Sequence, residues 1–164
     1  MIKRLIFIVF IYLVIGFQVS IASPIPTLGW DVDVVLILLV IIYSHTIRGE
    51  GIIWAIVAGL LLDAFVPEAM GGHIVAKATS IFIFSKFTDS LNLEQPLLLA
   101  MAIFLLAFVD RIIYRLFTPF TREFGWVLLR YDLPSAILTG IVGFLFLWLA
   151  MRIGLFEIRY SEES

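Results

Sequence analysis

Six apolar stretches, separated by short polar or charged turns, follow one another along the chain. They cover Leu5–Ala22, Val32–Ile47, Gly51–Val66, Ile74–Thr88, Leu97–Phe117 and Pro134–Ile153. A helix that crosses the hydrocarbon core of a bilayer needs about 20 mainly apolar residues. The first, fifth and sixth stretches suit that length, whereas the second and third are shorter. The pattern predicts an all-α polytopic membrane protein, with six transmembrane helices in one compact bundle and residues 1–164 in a single membrane domain.

The fourth stretch is the weakest of the six candidates. It is brief and contains Lys77, Ser80, Ser85 and Lys86. Two interpretations remain open: a span that its neighbours shield from lipid, or a re-entrant segment that does not cross. The distribution of Lys and Arg does not choose between them, because both arrangements satisfy the positive-inside tendency about equally.

The N-terminal stretch resembles both a signal peptide and a first span. Lys3 and Arg4 precede it, and Ser20-Ile21-Ala22 resembles a cleavage site. Because further apolar stretches follow, an uncleaved first span is the simpler interpretation. The two basic residues then hold the N-terminus in the cytoplasm, and six crossings return the C-terminus to the same side.

Composition supports membrane insertion and excludes several kinds of function. The 164 residues are 62% hydrophobic and 15% charged, with a mean hydropathy of +1.11. A net charge of -2 gives no electrostatic basis for binding nucleic acid. The chain has no cysteine, so thiol chemistry is absent. Its only histidines, His45 and His73, fall on opposite sides of the membrane in the six-span arrangement, so no clustered zinc ligands are expected. We therefore expect no catalytic residue, metal ion or cofactor.

The third stretch ends in a face of small residues that leads to a carboxylate. Ala55, Gly59 and Asp63 are four residues apart and share one side of the predicted helix. The helix is expected to stop at the turn that contains Pro67 and Gly71. Small residues at this spacing let a second helix approach closely. The pattern therefore indicates a packing surface.

Asp63 needs a partner or hydration. The C-terminal end of a helix carries partial negative charge, and a carboxylate in a membrane helix is costly when it is unpaired. The nearest basic candidates along the chain are His73 and Lys77. We predict either an ion pair between Asp63 and Lys77, which would lock the third and fourth helices together, or a hydrated Asp63 at the membrane surface.

Charged residues also interrupt the fifth stretch. Asp110 and Arg111 are adjacent, and neighbours in a helix do not face each other, so they are not expected to pair. Arg111 and Arg115 share a face. They either extend to the membrane surface or pair with Asp31 and Asp33, which the six-span arrangement places on the same side.

The sixth stretch contains small residues at spacings that permit close helix contact. They are Ser135, Ala136, Thr139, Gly140 and Gly143. Packing against another helix of this chain is the simpler interpretation, and contact with a partner protein is the alternative.

Several landmarks resemble the rod shape-determining protein MreD family. Four of them mark the end of the third stretch and the turn after it: Gly59, Asp63, Pro67 and Gly71. A Pro24-Ile25-Pro26 loop before the second stretch and the Arg48-Gly49 turn before the third agree with this resemblance. Together the landmarks cover roughly residues 24–90.

The resemblance implies a non-enzymatic subunit of the machinery that elongates rod-shaped bacteria, located in the inner membrane. MreD-like proteins associate with the bitopic protein MreC, and through it with MreB and the RodA–penicillin-binding-protein synthase of peptidoglycan. The family fold resembles the six-helix substrate-binding subunits of energy-coupling-factor transporters, which favours six spans over five. Two functions therefore compete: a scaffold that binds a partner's span through helix faces, or a solute-binding transporter subunit. A solute site should have polar groups that face a cavity in the middle of the spans. Because the middles of the predicted spans are almost wholly apolar, the scaffold is favoured.

Overall fold

The helices of the chain follow the predicted apolar stretches. The computed structural model describes residues 2–22, 30–45, 48–65, 70–88, 96–117 and 124–152. The first five helices are α1 (Ile2–Ala22), α2 (Val34–His45), α3 (Arg48–Phe65), α4 (Gly72–Thr88) and α5 (Pro96–Phe117). The last helix, α6, joins an α-helical turn, a π-helical stretch and a long α-helical part: Phe124–Val127, Leu128–Asp132 and Leu133–Arg152. These residues include no strand, which confirms the all-helical prediction. The Pro24-Ile25-Pro26 loop and Pro67 lie outside them.

Within the described ranges, two helices are long and apolar enough to cross a membrane. They are Leu97–Phe117, with 21 residues, and Phe124–Leu149, with 26. Shorter apolar helical stretches cover Ile11–Ser20 and Val34–Tyr43. Large apolar side chains are also exposed on the outer helix faces, for example Leu97, which is 68% exposed. An apolar surface of this kind is a liability in water and is compatible with lipid.

Helix α2 lies at the centre of the bundle. It contacts α1, α3, α4, α5 and α6. Most of its side chains are buried: Val35, Leu36, Ile37, Leu39, Val40, Ile42 and Tyr43. A helix that other helices surround needs no polar face. This position explains why the second stretch of the sequence is apolar all round.

Helices α3 and α4 approach closely because Gly59 has no side chain. A Cβ atom at Gly59 would lie 2.6 Å from Ile74 Cα and 2.7 Å from the carbonyl oxygen of His73. Ala55, one turn earlier on the same face, is fully buried. In the turn before α4, Gly71 has a φ of +89°, a conformation that residues with a side chain rarely adopt. The predicted small-residue face therefore packs inside the chain.

The small residues of α6 pack against α5. A Cβ atom at Gly140 would lie 2.9 Å from Cβ of Phe104, and one at Gly143 would lie 3.0 Å from Cδ1 of Ile103. These contacts confirm the simpler interpretation of the sixth stretch, in which the small residues serve packing between helices of the same chain.

The π-helical stretch of α6 precedes Pro134. A proline has no N–H group, so Pro134 cannot bond to the carbonyl of Arg130 four residues earlier. The N–H of Leu133 instead donates to the carbonyl oxygen of Leu128, five residues back. The carbonyl oxygen of Arg130 accepts a hydrogen bond from Nε1 of Trp30 at 3.1 Å. The apolar pattern predicted that the sixth helix starts at Pro134. In the structure it starts earlier, at Phe124.

Candidate functional site

Polar side chains from several helices meet at one end of the bundle. Helices α1, α3 and α5 contribute their C-terminal parts, whereas α2, α4 and α6 contribute their N-terminal parts. We call the side chains that bond to one another here the buried polar network. Its members are Asp31, Asp33, Lys77, Ser80, Asp110, Arg111, Arg115, Asp132, Ser135 and Thr139.

Lys77 lies at the centre of the network. It is 1% exposed. Its Nζ atom donates to Oδ2 of Asp33 and, at 2.8 Å, to Oδ2 of Asp110. Oγ of Ser80 lies 3.5 Å from the other oxygen of Asp110. A buried ammonium group is tolerated only where opposite charges and hydrogen bonds compensate its lost hydration. The two carboxylates provide this compensation and join α4 to α5 and to the start of α2.

Asp33 also caps the central helix. Its Oδ1 atom accepts a hydrogen bond from the N–H of Leu36 at 2.9 Å, the arrangement of a helix N-cap. The N–H of Asp33 donates to Oγ1 of Thr139 at 3.0 Å, and that hydroxyl donates to the carbonyl of Ser135 at 2.8 Å. One aspartate therefore holds the start of α2 against both α4 and α6.

A second group of ion pairs extends the network toward the end of the bundle. Arg111 pairs with Asp31, which confirms one of the predicted partners. Asp33, the other predicted partner, pairs with Lys77 instead, so that part of the prediction is wrong. Arg115 donates two hydrogen bonds to Asp132, from Nε at 2.9 Å and from Nη2 at 3.0 Å. Nη1 of Arg111 lies 3.7 Å from the same carboxylate.

Asp63 does not form the predicted ion pair with Lys77. Its Oδ2 atom accepts hydrogen bonds from the N–H groups of Gly71 at 3.0 Å and Ile74 at 3.2 Å, and its Oδ1 atom accepts one from His73 at 3.0 Å. The first N–H groups of a helix have no partner within the helix and carry partial positive charge. Asp63 is 3% exposed, so this contact and its surroundings bury the carboxylate. Hydration at the membrane surface is therefore also wrong for this residue.

A small polar cavity of about 90 Å³ adjoins the network. Its walls come from α1 to α5: Gln18, Asp31, Asp33, Leu62, His73, Lys77, Asp110, Arg111 and Tyr114. The ring of His73 stacks on that of Tyr114, with the centroids 4.2 Å apart. Nδ1 of His73 and Nε of Arg111 are buried and have no hydrogen-bond partner within the described residues. The cavity has room for a few water molecules, whereas binding sites for organic ligands occupy about 300 Å³ or more.

The described residues contain no group of three His, Asp or Glu side chains placed to hold a metal ion. In the network, each carboxylate is engaged by a lysine, an arginine or a backbone N–H group. The arrangement can hold helices in fixed positions.

A comparison with protein families identifies the chain. The family model described as rod shape-determining protein MreD matches residues 1–159. The chain belongs to the MreD family. The predicted resemblance is thus confirmed, and the match extends well beyond the landmarks near residues 24–90. No curated protein and no solved structure matches the chain. As a member of the MreD family, the protein is a membrane protein with a role in determining rod shape.

The landmarks that this MreD family member carries form a structural hairpin. Gly59 lets α3 and α4 touch, Gly71 permits the turn, and Asp63 caps α4 from the end of α3. These three landmarks each have a physical task within the chain, and the fourth, Pro67, lies outside the described residues.

Besides the partners of Lys77, two further features of the buried polar network were not predicted from the sequence. Asp33 directly precedes an apolar run, which is a usual N-cap signal, and that signal would have predicted its contact with Leu36. No local pattern links Asp132 with Arg115, which are 17 residues apart and meet only because α5 and α6 pack side by side.

Proposed function

We propose that this protein is a non-enzymatic scaffold of the cell-elongation complex in the bacterial inner membrane. In this proposal it supports peptidoglycan synthesis by holding membrane partners, not by transforming a molecule. The observation that carries the proposal is the use of the buried charged side chains. Among the described residues, they pair with one another or cap helices, and they do not converge on a cavity of ligand size.

Cavity sizes argue against the rival function, a solute-binding transporter subunit. The larger cavities that border the described helices have volumes of about 510, 400 and 420 Å³, and their walls are apolar side chains. Solute sites of this size normally include a few polar groups that fix the ligand. The polar cavity near Lys77 has these groups but only about 90 Å³ of space. Among these cavities, those large enough for a solute have apolar walls, and the polar cavity is too small for one.

The direction of the helices supports six crossings. The end of the bundle that holds the buried polar network gathers alternate ends of α1 to α6, with Gln18 of α1 and Asp63 of α3 beside the network. This is expected when consecutive helices run antiparallel. Helix α4, with 17 residues, extends about 25 Å at 1.5 Å per residue. Its burial among α2, α3 and α5 favours a shielded span over a re-entrant segment. With Lys3 and Arg4 in the cytoplasm, the network lies at the outer side and both termini lie inside.

The proposed partner is an MreC-like bitopic protein, which would connect the scaffold to MreB and to the RodA–penicillin-binding-protein synthase. The small residues Gly59 and Gly140 are used for internal packing, so a partner's span must bind elsewhere. An exposed apolar stripe on α3 is available: Ile53 at 60%, Ile56 at 43% and Leu60 at 56% exposure. Their spacing of three and four residues gives one continuous helix face.

Co-purification in detergent tests this proposal. The wild-type chain should co-purify with a co-expressed MreC-like partner, and Ile56→Ala combined with Leu60→Ala should weaken recovery about fivefold. The matched control, Ile141→Ala with Leu145→Ala on α6, also truncates two exposed apolar side chains and should leave recovery unchanged. Failure of the wild-type chain to co-purify, together with saturable binding of a vitamin-like solute, would favour the transporter function.

A further inference from the structure

Two apolar grooves run along the two sides of α5 in its N-terminal half. The α5–α6 groove, of about 510 Å³, lies between Leu97–Phe104 and Ile137–Leu145. The α4–α5 groove, of about 420 Å³, lies between Ile83–Phe87 and Leu98–Val109. Met101 lines both grooves, and it is 53% exposed. Met101 therefore forms an exposed ridge between the two grooves.

An exposed basic side chain stands at the same end of each groove. Lys86 directly precedes Phe87 in the α4–α5 groove, and its Nζ lies 5.6 Å from the centroid of the Phe82 ring. Arg152 ends α6, and its guanidinium lies 5.3 Å from the centroid of the Trp148 ring, one turn beyond the α5–α6 groove. Helix α5 begins between them, so the partial positive charge of its N-terminus adds to the two basic groups.

This combination selects the occupant by shape and by charge. A transmembrane helix is a single rod and would fill one groove, whereas the two acyl chains of a diacyl lipid can lie in the grooves on either side of α5. Basic side chains between membrane helices recognise anionic head groups, and both Lys and Arg bind phosphate. We propose that one anionic diacyl phospholipid binds here, with its phosphate near Lys86 and Arg152 and one acyl chain in each groove.

The site goes beyond the proposed scaffold function and does not depend on it. It lies at the end of the bundle opposite to the buried polar network. In the six-span orientation that end faces the cytoplasm, where positively charged residues and the surface charge of anionic lipids meet.

Native mass spectrometry of the full chain in detergent tests the head-group part of the site. We expect dioleoyl phosphatidylglycerol to be retained about tenfold more than dioleoyl phosphatidylcholine. Lys86→Gln combined with Arg152→Gln should reduce phosphatidylglycerol retention to the phosphatidylcholine level. Arg130→Gln is the matched control, because Arg130 is also exposed and lies over an aromatic ring, Trp126, at the other end of the bundle. Equal retention of the two lipids by the wild-type chain, or an equal loss in the control, would overturn the proposal.

A second variant tests the grooves without changing charge. Ile141→Trp should fill part of the α5–α6 groove, lower retention of dioleoyl phosphatidylglycerol severalfold and spare single-chain lysophosphatidylglycerol. Ile53→Trp on exposed α3 is the control and should retain both lipids. Circular dichroism melting of each variant checks that the bundle is folded. If Ile141→Trp keeps the diacyl lipid but loses a co-expressed bitopic partner, the groove holds a helix and the lipid proposal is wrong.

Discussion

Nζ of Lys77 lies 2.8 Å from Oδ2 of Asp110, and both side chains are almost fully buried between α4 and α5. On its other side the same ammonium group contacts Asp33, at the start of the central helix. The ammonium group of Lys77 thus connects α4 to α5 and to the start of α2. A buried pair of this kind often adds little net stability compared with apolar residues, but it leaves a very unfavourable charge when one partner is removed.

Removing Lys77 alone should be more damaging than removing the whole charged group. We expect Lys77→Met to lower the free energy of unfolding by about 3–5 kcal/mol, because two carboxylates lose their compensating charge. Adding Asp33→Asn and Asp110→Asn should recover most of this loss, since Asn at position 33 still caps α2. Reversible unfolding in mixed detergent measures both variants. A triple variant as unstable as Lys77→Met would contradict this account.

Double-mutant cycles should separate the true partner of Lys77 from the partner that the sequence predicted. For Lys77→Met with Asp110→Asn, we expect a coupling energy of about 1–3 kcal/mol. For Lys77→Met with Asp63→Asn, the effects should add to within about 0.5 kcal/mol, because Asp63 bonds to backbone N–H groups of α4. Equal coupling energies in the two cycles would support the ion pair between Asp63 and Lys77 that the sequence predicted.

A methyl group at Gly59 should disturb the α3–α4 contact. Its Cβ would lie 2.6 Å from backbone Cα of Ile74, which cannot move aside without shifting the helix. We expect Gly59→Ala to cost about 1–3 kcal/mol in unfolding free energy. Gly16→Ala on α1 is the control. A Cβ there meets nothing within 4 Å, so the exchange should be neutral or stabilising by up to about 1 kcal/mol. Similar losses at both sites would argue against close packing.

The two hydrogen bonds from Arg115 should stabilise the start of α6. Arg115→Gln leaves Asp132, whose side chain is 2% exposed, with Arg111 at 3.7 Å as its remaining basic contact. Because Arg115 itself is 34% exposed, we expect a loss of about 1–2 kcal/mol, smaller than for a fully buried pair. Detergent unfolding measures this loss, and Arg130→Gln serves as the exposed control. If Arg115→Gln leaves the free energy of unfolding unchanged, the π-helical stretch positions Asp132 without the ion pair to Arg115.

Cysteine labelling should decide the number of crossings. The chain has no cysteine, so single cysteines can be introduced without background. We use cells whose outer membrane is permeabilised and whose inner membrane is intact. In these cells, we expect a membrane-impermeant thiol reagent to label Arg130→Cys and to leave Lys86→Cys and Arg152→Cys unlabelled. Disruption of the inner membrane should make the latter two reactive. Labelling of Lys86→Cys from outside would show that α4 does not cross.

The helices could be predicted from the sequence because apolar length is a local property of the chain. The same local reasoning correctly required compensation for Asp63 but assigned it to the nearest cation, Lys77. The structure provides three backbone N–H groups instead, since the turn brings the first residues of α4 against the end of α3. The partners of Lys77 are 44 and 33 residues away. They could be found only after α2 was known to lie at the centre.

The shortness of α2 has a consequence for the chain that precedes it. Its 12 residues extend about 18 Å, whereas the hydrocarbon layer is about 30 Å thick. In the proposed six-span arrangement, the backbone before α2 therefore enters the hydrocarbon layer without helical hydrogen bonds. Its polar groups must be satisfied by neighbouring helices, as the N–H groups of Asp31 and Asp33 are by the hydroxyl groups of Ser135 and Thr139 on α6.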